Sequence, residues 1–115
     1  MPSTLECSWD DLRVYRCLPN RLPALLKRFE TAALRLWDRH GIRQAGLWTT
    51  TVGESNNDLT YLLAWESLAE RERKWSAFTS DPEWVEARRE SERDGPIVAN
   101  IVSSILKPTS FSGVR

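Results

Sequence analysis

The most constraining feature of the sequence is a strand pattern, at residues 59–65, that is apolar on both faces. Almost every residue in this stretch is apolar or aromatic, and turn-forming residues precede it. Because successive side chains of a strand point to opposite faces, Tyr61 and Trp65 share one face and Leu62 lies on the other. A sheet with two apolar faces needs a layer on each side, so this strand predicts a sheet that is covered twice.

The other periodic segments place this strand in the order strand, helix, strand, strand, helix, strand. Runs rich in β-branched and aromatic residues predict strands at 12–17, 44–52, 59–65 and 97–106. Apolar spacings of three and four residues predict a first helix over residues 23–40, ended by Gly41 as its C-cap.

The second helical region is predicted to be broken into two helices. Ser67 and Glu70 form a capping box at its start, and Asp81 with Pro82 is typical of a new cap followed by a first helical turn. Leu68, Trp75 and Phe78 lie on one side of the first helix, and the second carries Trp84, Val85 and Ala87. Of these residues, Trp75, Phe78 and Trp84 are expected to pack between the helices and the sheet.

This order is that of an α+β, ferredoxin-like βαββαβ domain with an antiparallel sheet and its helices on one face. The second apolar face of the sheet would stay bare, and the 115 residues offer no further element to cover it. A second copy of the chain is the obvious cover, so a homodimer is predicted. We treat residues 1–115 as a single domain, with a core at about 12–107 and a polar tail at 108–115.

The composition narrows the function classes. The net charge is zero, acids and bases interleave, and no RNP-type strand is present, which disfavours nucleic-acid binding. No stretch approaches the roughly 18 apolar residues of a membrane span, and the first residues lack a signal-peptide pattern, so a cytoplasmic location is expected. Cys7, Cys17 and the single histidine lack the spacing of metal ligands, so no metal or other cofactor is predicted and both thiols are expected to be free.

Six short motifs, spread over residues 12–112, resemble those of the NIPSNAP family and occur in the family's order. They are Leu12-Arg13-Val14-Tyr15, Pro19-Asn20-Arg21-Leu22-Pro23, Arg39-His40-Gly41 with Gly46-Leu47-Trp48-Thr49-Thr50, the run from 67 to 72, Asp81-Pro82-Glu83-Trp84, and the run from 105 to 112. The third strand departs from the family pattern, since Tyr61 stands where the family often has a histidine. The resemblance implies a dimeric α+β barrel. It implies no single reaction, because the family mostly lacks an assigned activity, although wider relatives include cofactor-free monooxygenases, small-molecule isomerases and haem-degrading enzymes.

Three residues are candidates for catalysis. His40 is the only histidine and would serve as a general base near neutral pH. Arg13 and Tyr15 share one face of the first strand and could hold a carboxylate or an enolate oxygen. The alternatives are structural: His40 would end a helix favourably, and Arg13 would form an interface salt bridge beside a packed Tyr15.

A second candidate set would bind a flat aromatic ligand. It consists of the aromatic and hydroxyl residues of the central hairpin, Trp48, Thr50, Tyr61 and Trp65. Whether the pairs from the two strands face each other depends on the register. Burial in the core or in a dimer interface is the simpler interpretation of this set, as it is of the other aromatic residues, which are expected to join the helices to the sheet.

Two functions therefore remain open. The first is small-molecule binding, with cofactor-free oxidation or isomerisation of a hydrophobic or aromatic compound as its catalytic form. The second is a non-catalytic interaction or scaffold module, whose barrel would be filled and would contain no cavity above about 300 Å³, the lower bound for ligand pockets. The sequence leaves open whether the protein is an enzyme, and it does not identify a substrate.

Overall fold

The observed element order is the predicted one, and the computed structural model describes residues 9–113. The elements are β1 (Trp9–Cys17), α1 (Leu22–Arg28), a π-helical segment (Phe29–Ala33), α2 (Leu34–Arg39), β2 (Arg43–Thr49), β3 (Asp58–Trp65), α3 (Leu68–Thr79), α4 (Pro82–Ser91) and β4 (Val98–Leu106). The α+β, ferredoxin-like order is thereby confirmed.

The four strands form one antiparallel sheet in the order β2-β3-β1-β4. In the two central strands Arg13 pairs with Tyr61, and on its other side Arg13 pairs with Ser103 of β4. The predicted sidedness of β3 is confirmed, because Tyr61, Leu63 and Trp65 are all 0% exposed beneath the helices. The charged side chain of Arg13 is therefore held on the covered face of the sheet.

The first helical region is one continuous rod from α1 through the π-helical segment to α2. Its junction residues, Phe29 and Leu34, keep right-handed helical dihedral angles, and Gly41 follows the end of the rod with a φ of +69°. The prediction of a helix over residues 23–40 agrees to within a residue, but the wider π-helical turn was not foreseen. Leu25, at 0% exposed, lies on the buried face, whereas Leu22 and Leu26 are only partly buried.

The predicted caps of the second helical region are confirmed. The backbone N–H of Glu70 donates to Ser67 Oγ at 3.0 Å, and the Glu70 carboxylate accepts from the N–H of Glu66 at 2.9 Å. At the start of α4 the N–H of Glu83 donates to Asp81 Oδ1 at 2.9 Å. These local bonds satisfy backbone donors that the first helical turn leaves open.

Two apolar residues of this region lie outside the core. Leu68 is 48% exposed and Val85 is 51% exposed, because both point away from the sheet. Phe78 and Trp84, by contrast, are buried as expected. One aromatic side chain from each helix therefore carries most of the contact with the core.

The second strand is shorter than predicted. It ends at Thr49 rather than at residue 52, and Thr49 pairs with Leu59 at the far end of the ladder. Since β3 begins at Asp58, residues 50–52 have almost no partner strand left beside them. The β-propensity of these residues is not sufficient to form a strand where no neighbouring backbone is available for hydrogen bonding.

In the described part of the chain, one face of the sheet has no helix over it and is largely apolar. Val102 and Leu106 of β4 are 41% and 44% exposed, and Trp48 of β2 is 52% exposed. Leu12 and Leu62, on the central strands between them, are half-buried. We call this surface the bare sheet face. Within residues 9–113, no helix has the length and apolar character needed to cross a membrane.

Candidate functional site

A cleft of about 440 Å³ lies between the sheet and the helix layer. Its walls are formed by Arg13, Tyr15, Val98, Asn100 and Ile101 from the sheet side and by Arg28, Trp75, Phe78, Thr79, Trp84, Arg88 and Glu92 from the helix side. Ile101 is 43% exposed, so the cleft opens to solvent along β4, the edge strand that the helices do not reach. We call this space the Arg13 cleft.

Arg13 is a buried cation whose polar partners are neutral. Its Nε donates to Tyr61 Oη at 2.7 Å, its Nη2 donates to Tyr15 Oη at 3.3 Å, and its guanidinium carbon lies 4.6 Å from the centre of the Trp75 ring. The side chain is 7% exposed. Among residues 9–113, no carboxylate lies within ion-pair distance of it. A buried charge normally has a charged partner, so this one is unusual.

The ionisation of this group follows from its surroundings. Burial raises the pKa of Tyr61 well above its usual 10, and the repulsive effect of Tyr15 adds to it, so the Tyr61 phenol stays protonated at neutral pH. Burial also opposes the charge on Arg13, but attraction to the oxygens of Tyr61 and Tyr15 outweighs it and raises the pKa of the guanidinium. The cleft therefore contains a positive charge that is hydrogen-bonded to the neutral hydroxyl group of Tyr61.

Arg28 is a second buried cation on the opposite wall. It is the last residue of α1, is 5% exposed, and its guanidinium lies 5.4 Å from the centre of the Trp84 ring. Its Nη1 makes only long contacts, 3.3 Å to Ser91 Oγ and 3.5 Å to Glu92 Oε1. Its buried Nε has no hydrogen-bond partner among the described residues. Burial lowers the pKa of Arg28, and attraction to Tyr15 and Glu92 offsets this only in part.

The remaining wall of the cleft is aromatic. The Phe78 ring lies 4.7 Å from Trp84 and 5.2 Å from Trp75, centre to centre. Behind them Phe29 packs edge-on to Trp84 at 6.3 Å. Such aromatic pairs each contribute about 0.5–1.5 kcal/mol beyond the area they bury, so they stabilise the packing of this wall. The arrangement places a flat apolar surface beside two arginines.

His40 is not part of the cleft. It caps the C-terminal end of α2, and its Nε2 lies 2.7 Å from Asp81 Oδ2, where Arg39 also reaches the same oxygen at 3.4 Å. The structure thus brings Arg13 and Tyr15 together but not His40, because the end of the helical rod is tied to the cap of α4. This position agrees with the structural alternative for His40.

The four residues of the predicted ligand-binding set are also separated. Tyr61 and Trp65 are on the covered side of the sheet and are 0% exposed. Trp48 pairs with Thr60 and faces the bare side, while Thr50 lies beyond the end of β2. Only Tyr61 contacts the Arg13 cleft, through its hydrogen bond to Arg13.

Trp65 has a structural partner instead. Its Nε1 donates to Asp11 Oδ2 at 3.4 Å, and the same carboxylate, which is 0% exposed, accepts from Arg71 at 2.8 Å and from Ser103 at 3.1 Å. Asp11 is therefore a buried carboxylate with a full set of donors. This compensated charge contrasts with Arg13, which has no carboxylate partner among residues 9–113, and with Arg28, whose one ion pair is long at 3.5 Å.

Sequence reasoning missed Arg28 and assigned Trp75, Phe78 and Trp84 only to the core. The missed signal was available: residues 25, 28, 29, 32 and 33 follow one helical face, and Arg28 is the charged member of an otherwise apolar row. A cation in a row of buried residues needs either an acceptor for its hydrogen bonds or a cavity that a ligand or water can enter. Ile101 had no comparable signal, because its exposure depends on which strand lies at the edge.

Metal ligands do not cluster in the part of the chain that the structure describes. Residues 9–113 contain no group of three or more His, Cys, Asp or Glu residues placed to hold a metal ion. Cys17 is a free, buried thiol, and burial raises its pKa above the usual value, so it is a weak nucleophile at neutral pH. Cys7 lies outside the described residues.

Solved structures show the same fold. A NIPSNAP-like domain protein from Burkholderia xenovorans is 27% identical, with a TM-score of 0.80 over 90% of this chain and 87% of that one. A NIPSNAP family protein of unknown function from Agrobacterium tumefaciens is 24% identical, with a TM-score of 0.82 over 95% of each chain. A more distant neighbour, an antibiotic biosynthesis monooxygenase-like protein from Nitrosomonas europaea, is 7% identical, with a TM-score of 0.61 over 87% of this chain and 97% of that one.

The family assignment rests on nearly the whole chain. A comparison with curated proteins finds no match. A comparison with protein families matches residues 10–113 to NIPSNAP, and this stretch includes β1 to β4 except for the first residue of β1. The chain belongs to the NIPSNAP family.

Proposed function

We propose that this protein binds a small hydrophobic or aromatic molecule in the Arg13 cleft and works as a homodimer. The observation that carries the proposal is the buried Arg13, which faces an open cavity with only neutral partners around it. A buried charge without a charged partner lowers the stability of the folded protein, and such groups are typical of sites where a ligand supplies the partner.

The size of the cleft supports binding over the scaffold alternative. That alternative expects a filled interior with no cavity above about 300 Å³. The Arg13 cleft measures about 440 Å³, and Arg13 and Tyr15 both line it. Its combination of a few polar groups with an aromatic wall is typical of small-molecule sites.

The catalytic form of the proposal is a cofactor-free oxidation or isomerisation. In both reactions an enolate-type oxygen would develop negative charge, and Arg13 with Tyr15 would stabilise it by hydrogen bonds from two buried side chains. The similarity to the Nitrosomonas protein supports the fold alone. The proposed chemistry therefore rests on the side chains of Arg13 and Tyr15. His40 takes no part in this proposal, because it lies at the C-terminal end of α2 and is not among the residues that line the cleft.

The homodimer follows from the bare sheet face. Val102, Leu106 and Trp48 are between 41% and 52% exposed on one surface that no helix covers. Two copies that place these faces together would bury them, and each would keep its own Arg13 cleft on the opposite side of the sheet.

A substitution that fills the cleft tests the binding proposal. Ile101→Trp would insert an indole at the cleft mouth, whereas Ile105→Trp, on the same strand face and 40% exposed, lies outside the cleft lining and is the matched control. We expect native mass spectrometry of protein purified from cells to show extra mass on wild type and on Ile105→Trp, and to lose it on Ile101→Trp. Calorimetry with 2-naphthoate and 2-naphthamide gives the same comparison with defined compounds. A wild-type protein that carries no extra mass and binds neither compound would contradict the proposal.

A further inference from the structure

We propose that the ligand of the Arg13 cleft is an aromatic carboxylate, held by Arg13 and Arg28 at its charged end and by Trp75, Phe78 and Trp84 along its ring. This inference rests on the proposed function and names the chemical class of its ligand. Three features of the cleft carry it: its charge balance, its unpartnered donor and its aromatic wall.

The charge balance of the cleft favours an anion. Three arginines line it, Arg13, Arg28 and Arg88, against one carboxylate, Glu92. The contact between Arg28 and Glu92 is long, at 3.5 Å, and Glu92 is the only acidic partner that either buried arginine has among residues 9–113. A neutral ligand would leave this excess of positive charge in a partly desolvated space, whereas an anion would compensate it.

An unpartnered donor shows where the anion would bind. The Nε of Arg28 is buried and has no hydrogen-bond partner among the described residues, and the residue as a whole is only 5% exposed. A buried donor without an acceptor costs about 1–3 kcal/mol, and guanidinium groups bind carboxylates through two parallel hydrogen bonds. Tyr15 accepts a hydrogen bond from Arg13 at 3.3 Å, and attraction to Tyr15 also contributes to the pKa of Arg28. Both cations line the same cleft as Tyr15.

The rest of the cleft selects a flat apolar body. Phe78 and Trp84 pack 4.7 Å apart and are only 1% and 4% exposed, so the half-buried Trp75 provides most of the aromatic surface on the helix side. Ile101 and Val98 form the sheet side. A sulfate or phosphate would bind the arginines without using this wall, and a fatty acid would not use its ring faces, so a one- or two-ring aromatic acid fits both parts of the cleft.

Paired ligands of the same shape test the charge requirement. 2-Naphthoate and 2-naphthamide share their ring system and differ in charge at neutral pH. We expect isothermal titration calorimetry on the wild-type protein to show naphthoate binding about tenfold or more tightly, as a charge-assisted hydrogen bond provides. Added salt should reduce this preference in part, because it screens the exposed Arg88 more than the two buried arginines.

Variants assign the preference to the cleft. Arg28→Met should remove most of the preference for naphthoate, and Arg89→Met, which removes an exposed arginine that is paired with Glu86 outside the cleft, should keep it. If Arg28→Met does not fold, Arg88→Met, at an exposed position of the cleft wall, should still reduce the preference severalfold.

The outcomes separate the inference from the proposed function. Equal binding of acid and amide, both lost in Ile101→Trp, would overturn the aromatic carboxylate while the cleft remained a binding site. A preference for naphthoate that persists in folded Arg28→Met and Arg88→Met would also overturn it, because the anion would then bind elsewhere. Failure of both compounds together with the absence of retained mass would count against the proposed function itself.

Discussion

At the scale of single residues, this protein treats its buried charges in two ways. Asp11 has three donors and no solvent exposure, so its charge is satisfied by the fold. Arg13 is hydrogen-bonded to phenol groups, whereas Arg28 makes only long contacts and its Nε has no partner among the described residues. Both arginines line the Arg13 cleft. The difference separates a structural carboxylate from cations that are available to a ligand.

The hydrogen bond from Arg13 to Tyr61 should contribute more to stability than the hydrogen bond from Arg13 to Tyr15. Tyr61→Phe would leave Arg13 Nε without its 2.7 Å acceptor in a buried position, so we expect a loss of about 1–3 kcal/mol in the free energy of unfolding. Tyr15→Phe removes a longer bond of 3.3 Å and should cost less. Urea unfolding followed by tryptophan fluorescence measures both values, and a smaller loss for Tyr61→Phe than for Tyr15→Phe would contradict the ranking.

At the scale of elements, the cap of α4 joins two parts of the helix layer. Asp81 accepts from the backbone N–H of Glu83 in its own helix, and also from His40 and Arg39 at the end of α2. A single carboxylate thus both starts one helix and binds the end of another. This double role explains why His40, a candidate base by sequence, is turned away from the cleft.

The cap should make stability depend on pH in the acid range. The hydrogen bond from His40 is the main cause that lowers the pKa of Asp81 from 3.8, followed by the N–H of Glu83. A lowered pKa in the folded state means that the contribution of Asp81 is complete above about pH 4 and is lost as the pH falls through the folded-state pKa. We expect Asp81→Asn to be less stable than wild type at pH 7, and the gap to narrow towards pH 3. Thermal unfolding of both proteins across this range measures the gap, and a gap that widens on acidification would reverse the assignment.

At the scale of the whole molecule, the sheet separates two surfaces for which we propose different roles. The helix side carries the Arg13 cleft, which opens beside Ile101 of β4. The other side is the bare sheet face, with Val102 of the same strand exposed on it. Because neighbouring residues of a strand point to opposite faces, one strand borders both the ligand site and the proposed dimer interface.

A charge on the bare sheet face should disrupt the homodimer. Val102→Lys would place an ammonium group in the proposed interface, so we expect sedimentation analysis to show a dimer for wild type and a monomer for the variant. Val52→Lys makes the same substitution at a position that is 93% exposed in the loop after β2, and it should remain a dimer. A monomeric wild type at micromolar concentration, or a dimeric Val102→Lys, would contradict the proposed interface.

The sequence by itself determined the features that depend on near neighbours in the chain. The capping box at Ser67, the cap at Asp81 and the left-handed Gly41 were all predicted, because each depends on residues within a few positions. The element order and the two-faced apolar pattern of β3 followed from periodicity in the same way. These local rules were sufficient to predict the fold class and to select Arg13 with Tyr15.

Only the tertiary structure decided which side chains meet. The sheet register put Trp48 on the opposite face from Tyr61, and the end of β3 left Thr50 beyond the paired strand. The packing of the first helical region against the sheet buries Arg28 beside the cleft, and it places His40 outside the cleft, next to Asp81. The physical reason is that register, edge position and helix docking depend on contacts between residues far apart in the chain, whereas a local pattern describes only which face a side chain shares with its neighbours.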